Sequence, residues 1–386
     1  MSSARIHGLD TLRALAVTLV VLHHYVLFVS HAPTFGWVGD IGWVGVDLFF
    51  ALSGYLIGNQ IFKATASAEG LSLPRFYARR FLRTLPNYWV VLALYFMLPA
   101  FRNGASLVPA WEYLLFVQNI GLMPGTAFSH SWSLAIEEQF YVLLPALALL
   151  GAWFGGSVRR APWLPWVLIA LLVVAGMLVR AALWRDVVDG QEYWMRNYFQ
   201  FIYYASWCRV DELLAGVALA LLKNHHPAAW AGLARRGNLM GALGVLVSGG
   251  AFWFFLQDRY AFPQTVFGLP LLALGFALLI VAAVAPGSLL QRLRVPGAAS
   301  LALWSYAIYL MHRPMSVIGA RWMEAQGFGP ASLAGIVSSL LLSVATGWLL
   351  YRLVETPFMA LREQYVPTHA KRSPALRPPA VGAEKA

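Results

Sequence analysis

The sequence predicts an all-α fold: a polytopic integral membrane helical bundle of about ten transmembrane helices, with both termini cytoplasmic. Three observations predict it. First, 12% of the 386 residues are charged and 59% hydrophobic, with a mean hydropathy of +0.63, whereas about a quarter of a water-soluble chain is charged. Second, mostly apolar runs of roughly 17–25 residues, the length that crosses a hydrocarbon core, recur near 10–30, 42–62, 85–101, 131–153, 162–180, 203–222, 239–257, 264–285, 301–320 and 331–351. Third, of the 28 Lys and Arg, twenty fall on one alternating set of connections and six (Arg102, Arg180, Arg185, Arg196, Arg259 and Arg321) on the other, with Arg209 and Arg313 inside spans. The richer set takes the cytoplasmic side.

The same alternation gives the net charge of +11 an orienting role and speaks against nucleic acid as a partner. The single cysteine, Cys208, lies inside a span, which excludes a disulfide framework and a Cys-based zinc site; no metal site is expected. Residues 1–363 form the membrane domain. The stretch 364–386, rich in Pro, Ala and basic residues, is expected to be a disordered cytoplasmic tail. The apolar run after Arg5 exceeds a signal-peptide core and is expected to remain as the first span. Trp111–Gly121 is too short to cross and is expected to be re-entrant or interfacial.

Ionisable residues inside spans cost several kcal/mol unless they face protein or water, so each is a functional candidate, although polar side chains also serve as helix-to-helix glue. In the first span Arg13 and His24 are eleven residues apart, three turns plus about 20°, and so share a face, with Asp10 within about 40° of it. At about 1.5 Å per residue, Arg13 sits near the cytoplasmic mouth and His24 in the outer half. The second span carries Asp47, with Gly54 seven residues on and on nearly the same face, where close packing and ligand approach are equally served. Leu73–Pro86 predicts a short interfacial helix with Arg75, Arg79 and Arg83 four apart, a pattern that fits phosphate groups and anionic headgroups alike.

The fourth span opens with Ser133, Glu137 and Tyr141 in one stripe, and Glu138 about 100° away. Two adjacent carboxylates at this depth predict a role for at least one. The sixth span carries Arg209, Asp211 and Glu212, where Arg209 and Glu212, three apart, are placed to neutralise each other. In the ninth, Tyr309 and His312 precede Pro314, whose kink is expected to open a cavity. His24, Asp47, Glu137, Asp211 and His312 all fall in the outer half. The expectation is one extracytoplasmic polar cavity with His as base or nucleophile and carboxylates as orienters. Outer aromatics, Trp184 and Tyr193–Tyr204, serve sugar stacking or interfacial anchoring equally well.

Taken in order, these motifs resemble the membrane acyltransferase-3 family. The resemblance runs from about Leu9 to Phe358. It is carried by Leu-Asp-Thr-Leu-Arg13 with His24 eleven on, Gly-Val-Asp-Leu-Phe-Phe-Ala-Leu-Ser53-Gly (45–54), Arg79-Arg80-Phe-Leu-Arg83, and Ser-Trp-Ser-Leu-Ala-Ile-Glu-Glu-Gln-Phe-Tyr (131–141). Arg209-Val-Asp211, Ser-Tyr-Ala-Ile-Tyr-Leu-Met-His (305–312) and Val-Glu-Thr-Pro-Phe (354–358) complete it. Thr11, where many members have Gly, and Arg313 after the histidine are departures. The resemblance implies that Arg13 and His24 form the family's arginine-to-histidine motif. It implies that Arg80 and Arg83, with Arg79, bind an acyl-CoA donor, acetyl-CoA foremost, and that Glu137 is its acidic position. Members that also carry an extracytoplasmic hydrolase-like domain complete transfer there; this chain is expected to act alone or with a separate partner.

The function so implied is O-acyl transfer, in the cytoplasmic (inner) membrane, from cytoplasmic acyl-CoA to a hydroxyl of a carbohydrate or glycoconjugate. His24, held by a carboxylate such as Glu137, would deprotonate the acceptor or first take the acyl group. Asp47, Ser53, Ser133, Tyr141, Arg209, Asp211, Tyr309 and His312 form the supporting polar cluster. The rival is a proton-coupled transporter relaying protons through the same His and Glu. The two differ in whether the thioester is cleaved.

Overall fold

The computed structural model describes residues 6–67, 70–153 and 161–367. Among them the chain is helical, with no strand, and it is an all-α polytopic membrane protein. Ten long helices correspond to the ten expected segments: α1 His7–Tyr25, α2 Val44–Ala66, α3 Leu73–Met97, α4 Trp132–Trp153, α5 Leu164–Leu183, α6 Asp211–His225, α7 Gly237–Asp258, α8 Leu269–Val284, α9 Ala298–Glu324 and α10 Leu333–Leu350. Helix α1 runs on to Ser30, and α10 into a shorter α11, Thr356–Tyr365, each through one widened, π-type turn. Seven helices among the described residues are long and apolar enough to cross a membrane.

The core is built around α1 and α2. Helix α1 packs on α9, α2 and α8, and α2 on α6 and α4, while α9 pairs with α10 and α7 with α8. Glycine makes the α2–α6 contact possible. A Cβ at Gly54 would strike the Leu213 carbonyl, and one at Gly216 the Ala51 carbonyl and the Tyr55 amide. The two backbones therefore touch reciprocally, as small residues allow in membrane bundles. Of the two uses the sequence left open for Gly54, the structure places it in packing.

Three expectations need correction. The interfacial helix over 73–86 and the span over 85–101 are one helix, α3, which continues through Pro86. An interior proline lacks its own donor and crowds the carbonyl one turn back, and here neighbours hold the helix on both sides. Tyr306 donates to the Thr84 carbonyl at 3.0 Å, and Asn87 donates to Glu355 at 2.8 Å. The span expected over 203–222 is shorter: α6 begins only at Asp211, and residues Tyr198–Tyr203 and Ser206–Cys208 form a π turn and a 3-10 turn before it. With 15 residues, α6 reaches about 22 Å, less than the roughly 30 Å hydrocarbon core. Arg180, expected in an outer connection, is wholly buried in the last turn of α5.

The proposed tail boundary falls at the end of α11. Val366 and Pro367 fold back so that their carbonyls accept from Arg79 and Arg75; residues 368–386 lie outside the described residues, as do Arg5, Arg159 and Arg160.

Candidate active site

Two adjoining sites emerge, divided differently from the expected cytoplasmic arginine site and outer His/carboxylate cavity. The first is a cavity of about 380 Å³ enclosed by α1, α2, α3, α4 and α9. Arg13, Arg80, Arg83 and Gln60 line it toward the end where α1 and α3 begin, and Ser133 and Tyr309 line it at depth, with Ser53, Glu137, Glu138 and Tyr141 between. The stripe on α4 is used as its spacing predicts. Ser53 donates to Glu137 Oε1 at 2.9 Å and Tyr141 donates to Glu137 Oε2 at 3.0 Å. The Arg80 guanidinium lies 3.8 Å over the Tyr141 ring. The Nε atoms of Arg13 and Arg80 are buried without a hydrogen-bond partner.

The four arginines of α3 divide their work. Arg80 and Arg83 face the cavity, whereas Arg79 pairs with Glu363 at 2.9 Å and with the Val366 carbonyl, and Arg75 holds the Pro367 carbonyl. The row Arg75, Arg79 and Arg83 does not act as one clamp. Its first two members anchor the end of α11.

The second site is a cluster of imidazoles beyond the deep end of the cavity, brought together by α1, α9 and the turn before α4. His24 Nδ1 lies 2.6 Å from His312 Nε2. The ring centroids are 4.9 Å apart with 7° between planes, so the rings lie end to end with the hydrogen bond nearly in plane. His312 Nδ1 meets the Tyr309 carbonyl at 2.7 Å and the Ile308 carbonyl at 3.3 Å. Carbonyls only accept, so Nδ1 of His312 carries the proton. A neutral His312 then presents a bare Nε2 that accepts from His24 Nδ1–H, and the lone pair of His24 is left on Nε2. A third imidazole, His130, stands edge-on to both, with centroids 6.1 Å from His24 and 5.3 Å from His312.

Tyr309 joins the two sites. It lines the cavity, its hydroxyl donates to the His130 carbonyl at 2.7 Å and accepts from Ser133 at 2.6 Å, and its ring is 5.7 Å from His312. His23, on another face of α1, bonds the Gly39 carbonyl at 2.7 Å instead.

Asp47, Arg209 and Asp211 belong to neither site. Arg209 pairs with Asp47, not with Glu212, because the glycine contact draws α6 against α2. Asp211 receives two bonds from Arg180, at 2.6 and 3.1 Å. Arg180 also donates to the Cys208 and Val266 carbonyls at 2.8 and 3.2 Å, tying α5, α6 and the turn before α8. These pairs are buried cross-links. The carboxylate expected beside His24 is not there either: Glu137 sits among Ser53, Tyr141 and Arg80, and the ring that holds His24 is His312. The one outer cavity drawn from depth alone thus separates into an imidazole cluster, an arginine-lined cavity and two ion pairs.

His130 and Arg180 escaped the sequence reading. His130 falls in a 3-10 turn, Ser129–Ser131, just before α4, and Arg180 at a span's edge; in both cases a boundary shifted by a few residues hid a buried ionisable group.

Comparison with known proteins fits this geometry. The acyltransferase domain family matches residues 6–352. YrhL of Bacillus subtilis is 28% identical over 375 residues, 91% of this chain and 54% of that protein. The O-acetyltransferase OatA of Staphylococcus aureus is 26% identical over 380 residues, 91% and 56% of the two chains. The peptidoglycan O-acetyltransferase OatA of Listeria monocytogenes is 30% identical over 237 residues, 56% and 33% of the two. The chain spans about half the length of the first and second of these relatives. No solved structure matches it. With arginines, cavity and histidines all inside a match that covers nearly the whole chain, the protein belongs to the acyltransferase-3 family of membrane acyltransferase domains.

Proposed function

We propose that the protein is an O-acetyltransferase of the cytoplasmic membrane that takes an acetyl group from acetyl-CoA, or another acyl-CoA, and places it on a hydroxyl of a carbohydrate or glycoconjugate. The observation that carries this reading is the cavity itself: three guanidiniums at its mouth, and a hydrogen-bonded histidine pair beyond its deep end. The relatives named as peptidoglycan O-acetyltransferases support a cell-wall sugar as the acceptor class.

Arg83, Arg80 and Arg13 hold the donor's phosphates, with bidentate charge-assisted bonds available to each guanidinium. Glu137 acts through Tyr141, whose ring it fixes beneath Arg80. The thioester lies toward Ser133 and Tyr309. His24 Nε2 takes the proton of the acceptor hydroxyl as its oxygen attacks the thioester carbonyl. The carbon–sulfur bond then breaks, and the proton passes from His24 to the departing thiolate. His312 is the positioning residue that keeps the His24 lone pair on Nε2. His24 is partly exposed whereas His312 and His130 are buried, so an acceptor can reach the base. The positive-inside pattern supports a cytoplasmic side for the arginine mouth, the side from which acyl-CoA would enter.

The test uses proteoliposomes of the full chain, loaded with labelled acetyl-CoA and bathed in a disaccharide of N-acetylglucosamine and N-acetylmuramic acid. The proposal expects O-acetyl ester and free CoA thiol in equal amounts. A thioester that stays intact, with or without proton movement, contradicts it.

A further inference from the structure

We infer that His130 is a further catalytic residue, the hydrogen-bond donor to the acyl carbonyl oxygen as it becomes an oxyanion. This rests on the acyl-transfer reading above and adds a residue to it. His130 is 2% exposed, and neither ring nitrogen has a hydrogen-bond partner. The Leu310 carbonyl beside the ring is not met in hydrogen-bond geometry. A buried polar group without a partner costs about 1–3 kcal/mol, so such a group in a well-packed bundle calls for an explanation.

Its neighbours supply one. Acyl transfer needs two things at the reacting carbon: a base for the incoming hydroxyl and a donor for the developing negative charge. His24 provides the base. Apart from the Tyr95 hydroxyl, which is buried without a partner, the other polar groups named here are committed elsewhere. His312 uses one nitrogen on the Tyr309 carbonyl and the other on His24. Tyr309 donates to the His130 carbonyl, and Ser133 donates to Tyr309. Arg313 donates to Ser129 Oγ at 2.9 Å and to the Thr126 carbonyl at 3.0 Å, with its guanidinium 4.0 Å over the Phe28 ring. Of the three imidazoles, His130 alone has both nitrogens without a hydrogen-bond partner, and its ring stands edge-on to that of His24 at 6.1 Å, beside the base.

In the step itself, the acceptor oxygen bonds to the carbonyl carbon, the proton goes to His24 Nε2, and the carbonyl oxygen takes the negative charge under the His130 N–H. Collapse expels the thiolate, which takes the proton from His24. No bond to His130 forms or breaks.

Packing offers the test its control. His130 sits among Phe128, Tyr309 and Tyr95, at centroid distances of 5.1, 5.8 and 6.3 Å, so His130→Phe keeps a ring in an aromatic nest and removes only the nitrogens. Full-chain wild type, His130→Phe and His130→Gln are assayed with acetyl-CoA and the same disaccharide, alongside thermal unfolding. The expected result for His130→Phe is a kcat lowered about 10²–10³-fold, a KM for acetyl-CoA within about twofold, and a Tm equal to or above wild type; His130→Gln, which keeps an N–H donor, recovers part of the rate. A His130→Phe enzyme within about threefold of wild type overturns the assignment. So does a lowered Tm with unchanged activity per folded molecule in either variant, which marks a packing role. A wild type that never cleaves acetyl-CoA overturns the function and this inference together, whereas an active wild type with an unaffected His130→Phe overturns the inference alone.

Discussion

Replacing His312 by alanine isolates the tautomer argument. In the structure the His24 Nδ1–H is held by His312 Nε2 at 2.6 Å, and the proton on His312 Nδ1 is fixed by a carbonyl at 2.7 Å. Without His312, His24 loses the acceptor that keeps its lone pair on Nε2 and the contact that holds its ring. General-base catalysis by a positioned side chain is worth about 10²–10⁴-fold, and misorientation forfeits most of it. We expect kcat to fall about 10²–10³-fold, or ~2.7–4.1 kcal/mol at 1.36 kcal/mol per decade. The KM for acetyl-CoA should stay within about twofold, because the arginines lie at the opposite end of the cavity. His312→Ala also empties buried volume, which lowers stability by about 2–4 kcal/mol by analogy with other large-to-small changes, so rates are taken per folded molecule. Initial rates of free-thiol release, measured against acetyl-CoA concentration, read both constants. A His312→Ala protein with wild-type kcat, or one whose defect lies wholly in KM, would refute the positioning role.

Further expectations follow from the geometry. Arg83→Ala should raise the KM for acetyl-CoA about tenfold or more, as loss of a charge-assisted bond of about 1.5–3 kcal/mol predicts, while Arg79→Ala, committed to Glu363 and Val366, should change it no more than about threefold; equal effects would mean that the two arginines share a task. Gly54→Ala should destabilise the fold by about 1–3 kcal/mol, because its Cβ meets the backbone carbonyl of Leu213, and an unchanged thermal midpoint would count against the reciprocal contact. Arg180→Ala should cost about 3–5 kcal/mol by leaving Asp211 buried and unpaired, with stability largely restored in the double variant Arg180→Met/Asp211→Leu; a mild single variant would show that the pair is not buried as described.

Much of this was legible in the sequence because helices have a fixed repeat. The shared face of Arg13 and His24 follows from eleven residues at about 100° each, and the Ser133, Glu137 and Tyr141 stripe from spacing by four; both recur in the structure, one along α1 and one along the cavity wall. What spacing within a helix does not contain is the choice of partner between helices. His24 pairs with a residue 288 positions away, and depth alone did not distinguish His312 from Glu137 as the group that meets it. Arg209 looked matched to Glu212 three residues on, but close contact at Gly54 and Gly216 brings Asp47 to it instead. Pro86 looked like a boundary, yet side chains from α9 and from the turn before α11 hold the helix on both sides of it. The misread boundaries at His130 and Arg180 have one cause: the end of an apolar run is a gradient, and a charged or polar residue there looks solvated until its neighbours in space are known.

The central claim is that His24 is the base of an acyl transfer from a CoA thioester. It is tested most directly by counting acetyl esters formed and thiols released by wild-type and His24→Ala proteins, both shown to be folded, with acetyl-CoA and the disaccharide. The account predicts matched ester and thiol for wild type and a loss of at least about 10²-fold in both for His24→Ala. Equal rates for the two proteins would contradict it.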